Sequence, residues 1–454
     1  MDKTKKTDSR RSFLKKAALG TTFLVGAPAI LSSKEAQKKL LKRKKQKFSK
    51  NDQIQIAVIG AGGMGVADSK TATSVPGTKL IAACDLYDGR LEEAKELWGK
   101  DIFTTRDYME VLKRDDVDAV IIGTPDHWHK QISIDALRMG KGVYCEKPMV
   151  QDISEGPDVI AAQKASGKTF QVGSQGLSSL GNEKAKQLYE EGAIGQFIYA
   201  EGFWARNSPV GAWQYPIPND ASLKTVDWDR YTSNTTKRDW DPLRFFRWRN
   251  YRDYGTGVSG DLFVHLFSSL HFITSSIGPD KIMATGGLRY WKDGREVPDV
   301  LLGMFDYPET KAHPAFNLSL RVNFVDGTSG TTYLRMVGSE GAMDVTWDDV
   351  YLRRNLVSDP IDPFLAEKTK NSNKMFSERK KMQPPKEAHY AVEEGYKGAH
   401  FDHFVNFFNG VRHGKPVIED AVFGYRAAAP ALLCNDSYFD NKIIHWDPVN
   451  MKLK

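Results

Sequence analysis

Residues 54–65 read Ile54-Gln55-Ile56-Ala57-Val58-Ile59-Gly60-Ala61-Gly62-Gly63-Met64-Gly65, a short apolar run that breaks into a glycine turn. An almost wholly apolar run of six residues has the character of a parallel strand buried on both faces. The glycines after it have separate jobs. Gly60 makes the tight turn, Gly62, with Gly63 and Met64 beside it, lets a pyrophosphate approach the backbone, and Gly65 lets helix and strand pack closely. Phosphates would meet the free N–H groups of the helix that starts there. A second apolar run, residues 79–84, ends at Asp85, where a carboxylate binds the ribose hydroxyls of NAD and repels the 2′-phosphate of NADP. Arg90, close behind, is the residue through which NADP would be accepted; NAD is the expected cofactor and NADP the second choice.

Outward from this unit, residues 119–123 and 142–145 read as further strands with a helical stretch, 131–139, between them. Alternating strands and helices predict a doubly wound parallel sheet, in which residues just beyond the strand ends face the ligand crevice. One strand ends in Thr124-Pro125-Asp126-His127-Trp128-His129 and the next in Glu146-Lys147-Pro148. A lysine fixed beside a nicotinamide is a candidate acid–base group. His127 and His129 form an H-x-H that neutral imidazoles could use to ligate a metal.

Gly60-x-Gly62-x-x-Gly65, the Thr124-Pro125-Asp126-x-x-His129 turn and Glu146-Lys147-Pro148 resemble the glucose–fructose oxidoreductase, inositol dehydrogenase and rhizopine-catabolism (Gfo/Idh/MocA) family. The resemblance covers about residues 54–447, most strongly the first 120 of these, and Glu-Lys-Pro is its specific element. It implies a Rossmann domain followed by an α+β domain with a large, mostly antiparallel open sheet. It also implies NAD- or NADP-dependent oxidation or reduction of a hydroxyl of a sugar, cyclitol or related polyol. The family pattern includes an Asp four residues before a His, which Asp261 and His265 match; on a helix the two share a face. By the resemblance, Lys147 and His265 are the acid–base candidates and Asp261 orients one of them or binds substrate. The His127–His129 loop lies beside the nicotinamide ribose, so no metal is expected. Gly60, Gly62, Gly63, Met64, Gly65, Asp85, Arg90, Thr124, Pro125, His127, His129, Glu146 and Lys147 are the expected cofactor contacts. Gly176-Leu177 stand where many relatives carry an arginine or another polar residue, which implies a different substrate pocket.

After residue 173 the composition changes. Trp204, Trp213, Trp228, Trp240 and Trp248 crowd into one stretch, with Arg206, Arg244, Arg247 and Arg249 among them. Aromatic faces with convergent polar groups suit a carbohydrate, and the same residues equally suit a tryptophan-anchored loop packed on a sheet. Gln175, Trp204, Arg206, Lys147, Asp261 and His265 are the expected substrate contacts. Residues 281–354 read as an antiparallel sheet and 358–396 as an exposed, proline-punctuated connection, and helical patterning resumes near 398–411 and 421–438. An open sheet needs covering, so a homo-oligomer is expected.

The formal net charge of the 454 residues is +7. Residues 1–50 hold 16 Lys and Arg against Asp2, Asp8 and Glu35, a net of +13, which leaves −6 for the rest. The basic character therefore belongs to the N-terminus, and a nucleic-acid partner is not expected. Arg10 and Arg11, then Phe13 and Leu14, the apolar stretch 17–31 and Ala27-Pro28-Ala29 resemble a twin-arginine export signal. No apolar run approaches the roughly 20 residues of a membrane span. Three cysteines exclude a disulfide framework. The expected organisation is a signal at 1–33, a basic solvated linker at 34–50, the NAD-binding domain at 51–175 and a substrate and oligomerisation domain at 176–447. The expected protein is a periplasmic or extracytoplasmic oxidoreductase that retains its cofactor. Two alternatives are a glycosidase that transiently oxidises its sugar and a non-catalytic sugar-binding protein on the same scaffold.

Overall fold

The computed structural model describes residues 38–43, 53–207, 212–328, 332–355 and 387–454. The expected export signal, most of the expected linker and residues 356–386 lie outside them. Among the described residues there are two sheets, and no helix is long and apolar enough to cross a membrane.

The first sheet is wholly parallel, in the spatial order Phe103–Thr105, Thr78–Cys84, Ile54–Ile59, Ala119–Ile122, Gly142–Cys145, Phe170–Val172. Chain order reverses between Ile54–Ile59 and Ala119–Ile122, which leaves a crevice beyond their carboxyl ends, the place where open α/β sheets bind ligands. Ile56, Val58 and Ile121 on one face and Ala57, Ile59 and Ile122 on the other are all buried, as a sheet covered on both sides requires.

The second sheet has eleven strands among the described residues. Its centre is Phe197–Ala205, flanked by Thr332–Gly338 (antiparallel) and Phe316–Asn323 (parallel), with Val300–Tyr307 and Lys281–Gly287 beyond the latter. Alternation decides its faces. Leu318, Leu320 and Phe305 point inward onto the helices Leu180–Glu190, Val264–Thr274 and Ala421–Asp440, while Leu302 and Met304 point outward.

Two features depart from the expected organisation. The boundary at residue 175 is crossed, because the helix Ala399–His413 covers the back of the first sheet through Phe404, Phe407 and Phe408. Lys38–Leu41, inside the expected solvated linker, form a parallel edge strand on Glu387–Val392. Arg43 follows and donates to Asp402 at 2.8 Å, Glu183 at 2.6 Å and the Ser178 carbonyl at 2.8 Å. The half-buried Leu41, the strand pairing and three oxygen partners for one guanidinium explain why this basic segment is ordered against the body.

Candidate active site

A cleft of about 960 Å³ runs from the glycine turn, across the switch point of the first sheet, to the inner wall of the second. At its first end Gly60 has φ +90, and a Cβ there would lie 2.5 Å from the Thr124 backbone nitrogen. A Cβ on Gly65 would overlap the Gly60 carbonyl, so this glycine sets the approach of helix to strand. The helix Gly63–Ser74 starts without a side-chain cap and without an acid in its first turn, and a Cβ on Gly63 would meet nothing within 4 Å. Free N–H donors thus face open space at a helix N-terminus, the environment a pyrophosphate needs. Asp85 lies on the same wall; its Oδ1 accepts from the Tyr87 N–H at 3.0 Å and its Oδ2 lies 3.5 Å from Arg90. The Arg90 guanidinium reaches over Gly62, where a Cβ would overlap it. The glycine cradle, the open helix start and the ribose-binding acid fit a dinucleotide.

At the far end, the segment that carries Asp261 is a single π-helical turn, Ser259–Phe263, leading into the α-helix Val264–Thr274. Such turns recur at functional sites because they shift a side chain out of the regular register. Lys147 Nζ donates to Asp261 Oδ1 at 2.7 Å and to the Asp261 carbonyl at 2.9 Å, and Arg249 Nε donates to the same Oδ1 at 3.2 Å. Burial alone would raise the Asp261 pKa, but the Lys147 and Arg249 cations hold it far below the usual carboxylate range. His265 stacks on Trp204 with ring centroids 5.2 Å apart and meets the edge of Trp347 at 5.9 Å. Burial, reinforced by the Lys147 charge, pushes its pKa down to about 3, so the imidazole is neutral at pH 7. His265 Nδ1, Gln175 Oε1 and Thr124 Oγ1 line the cleft as buried polar atoms without a hydrogen-bond partner. Unsatisfied groups gathered at one cavity mark where a ligand's hydroxyls would bind.

Gly60, Gly62, Gly63, Met64, Asp85, Arg90, Thr124, Pro125, Lys147, Gln175, Trp204, Arg206, Asp261 and His265 all line this cleft. Four expected cofactor contacts do not: Gly65, which packs the helix against the Gly60 carbonyl, and His127, His129 and Glu146, which the structure places elsewhere. His129 opens the helix His129–Arg138 with both ring nitrogens on carbonyl oxygens, Pro148 at 2.7 Å and Thr124 at 3.0 Å. Against the penalty of burial, Cys145, Asp126 and the Pro148 carbonyl raise its pKa to about 10. His127 packs among Tyr231 and Tyr254, with Nε2 3.0 Å from the Tyr231 carbonyl, and burial lowers its pKa to about 4. Glu146 points away from the cleft because neighbours on an extended chain alternate in direction. It is buried beside Asp68 and Gly173, and burial together with the Asp68 charge raises its pKa to about 8.

The tryptophan-rich stretch divides. Trp204 and Trp248 line the cleft, whereas Trp213, Trp228 and Trp240 pack in cores. Arg249 and Trp347 are site residues that sequence reasoning missed. Arg249 was signalled only by its place in that stretch, and Trp347, in the turn between Gly341–Val345 and Asp349–Arg354, carried no signal. Trp347 also accounts for Gly176: any Cβ at position 176 would overlap its indole ring.

The strand–glycine turn–helix unit, the acid at Asp85 and a cleft across the switch point define a dinucleotide-binding protein. Residues 54–174 match the family model GFO_IDH_MocA, described as oxidoreductase family, NAD-binding Rossmann fold. Over 157 residues the chain is 36% identical to scyllo-inositol 2-dehydrogenase (NAD(+)) of Bacillus subtilis, covering 33% of this chain and 44% of the relative. The chain thus spans a little under half the length of the inositol dehydrogenases it matches. Over 370 residues it is 25% identical to a glycosyl hydrolase family 109 protein of Shewanella baltica, covering 77% of this chain and 71% of that protein. Levoglucosan dehydrogenase, solved in complex with NADH and levoglucosan, has the same fold, with a TM-score of 0.64 over 87% of this chain and 99% of that one at 17% identity.

Proposed function

We propose that this protein is an exported enzyme that transfers hydride between NAD and a hydroxyl-bearing carbon of a sugar or sugar-like polyol. The carrying observation is the Lys147–Asp261 pair beside a neutral His265 with a free Nδ1, in a cleft continuous with the glycine turn. Gly60–Gly65 and Asp85 would hold NAD, whose nicotinamide supplies the hydride acceptor. Asp261 orients Lys147 through two oxygens, the Lys147 ammonium donates to the hydroxyl oxygen, and the neutral His265 takes the hydroxyl proton as hydride leaves. Trp204 stacks on His265 and Trp347 meets its edge, which fixes the ring in the cleft.

Export by the twin-arginine route is supported by the motif in residues 1–33 and accords with a cofactor loaded before transport, retained, and recycled by a second substrate. A homo-oligomer is supported by the outward-facing Leu302 and Met304, 45% and 55% exposed on the open sheet. Mass spectrometry of the supernatant after denaturing the purified protein is expected to show NAD or NADH. Finding no dinucleotide, together with no binding when NAD or NADH is added, would overturn the enzyme reading.

A second reading is favoured by the match to a glycosyl hydrolase family 109 protein over 77% of the chain. Here the same acid–base set oxidises the sugar transiently, the aglycone is eliminated and the ring is reduced again, with no net redox. Incubation with aryl glycosides separates the two, since the glycosidase releases aglycone and the dehydrogenase accumulates keto-sugar.

A further inference from the structure

One cation at the substrate end of the cleft has no carboxylate of its own. Lys147 and Arg249 both lie on Asp261 Oδ1, at 2.7 and 3.2 Å, and the buried Asp126 adds its negative charge near Arg249. Arg206 is the third cation, exposed on the cleft wall. It follows the strand Phe197–Ala205, and residues two apart on an extended chain project to one side, so it shares the side of Trp204. Its backbone N–H is fixed to the Asn323 carbonyl at 2.9 Å. From there its charge reaches both Asp261 and His265. Among the described residues no carboxylate lies within ion-pair distance of its guanidinium. The other carboxylate of this wall, Asp326, accepts from the Thr328 N–H and hydroxyl at 2.8 Å each.

A neutral polyol seated against Arg206 would strip water from the guanidinium and return no charge, which is costly. A guanidinium fork, by contrast, matches a carboxylate or phosphate in geometry as well as charge. We infer that the site takes a carbohydrate bearing an anionic group, a carboxylate as in a uronic acid or a phosphate ester, and that Arg206 selects for it. This inference rests on the sugar oxidoreductase reading and narrows its substrate class.

The test uses the NADH-loaded full chain and follows tryptophan fluorescence, to which Trp204 and Trp347 would report. The probes are D-glucuronate, D-galacturonate and D-glucose 6-phosphate, with D-glucose and D-galactose as neutral partners. At least one anionic sugar is expected to bind about tenfold or more tightly than its neutral parent, as a charge-assisted contact implies. The acids against the phosphate ester tell the two anions apart. R206L is expected to erase the preference and R206K to keep most of it. Equal affinity for anionic and neutral sugars, a preference that survives in R206L, or saturable binding of none of the five overturns the inference. NADH binding, read from nicotinamide fluorescence in the same samples, reports separately on the oxidoreductase reading.

Discussion

Lys147 and Asp261 are far apart in sequence, yet both are almost fully buried, with side-chain exposures of 10% and 7%, and two hydrogen bonds join them. Lys147→Ala is expected to lower kcat by roughly 10²–10⁴-fold, the usual contribution of a positioned acid–base group, while NADH still binds. Near-normal steady-state turnover would remove Lys147 from that role. His271 makes a test of buried neutral histidine away from the cleft. Its Nε2 is 2.9 Å from the Tyr307 hydroxyl, and burial, with the nearby His313, pushes its pKa down to about 3. The unfolded chain protonates this histidine near pH 6.5 and the fold does so only near 3, so its contribution to stability falls as pH drops through that window. Relative to wild type, His271→Gln is therefore expected to gain about 2 kcal/mol in urea unfolding between pH 8 and pH 5. A difference that stays constant with pH would show that His271 titrates normally in the fold.

Elements were legible wherever periodicity was strict. The continuous apolar run 54–59 declared a buried parallel strand, and the extended runs between turn signals in 281–354 declared an antiparallel sheet. Which helix covers which sheet was not legible. The amphipathic helix Ala399–His413 would pack equally well on either sheet by its own pattern, and only the tertiary arrangement puts Phe404 on Tyr144, with ring centroids 4.3 Å apart. Phe404 is fully buried, so Phe404→Ala is expected to cost about 3–5 kcal/mol, measured by chemical unfolding. A loss below about 1 kcal/mol would mean that this helix contributes little to the first sheet. The edge strand Lys38–Leu41 was hidden for a related reason: a basic segment reads as solvated until a partner strand and three oxygens for Arg43 are in place.

For the whole molecule, the uncovered face of the large sheet carries Tyr199, Leu302 and Met304 in the open. Light scattering at micromolar concentration is expected to give a dimer or larger assembly, and Met304→Lys to shift it toward monomer; a monomeric wild type would remove the oligomer proposal. The sequence by itself determined the dinucleotide end of the cleft, because a strand, a glycine turn and an acid are close in the chain and backbone sterics fix their geometry. It also named Lys147, Asp261 and His265. Only the tertiary structure decided which polar side chains face the cleft. His127, His129 and Glu146 have the right chemistry and neighbouring positions, but carbonyl partners and strand alternation turn them away. Arg249 and Trp347 complete the wall because Arg249 pairs with the buried Asp261 and Gly176 leaves room for an indole. Those are long-range packing and charge-compensation constraints, and no local pattern in a single chain records them.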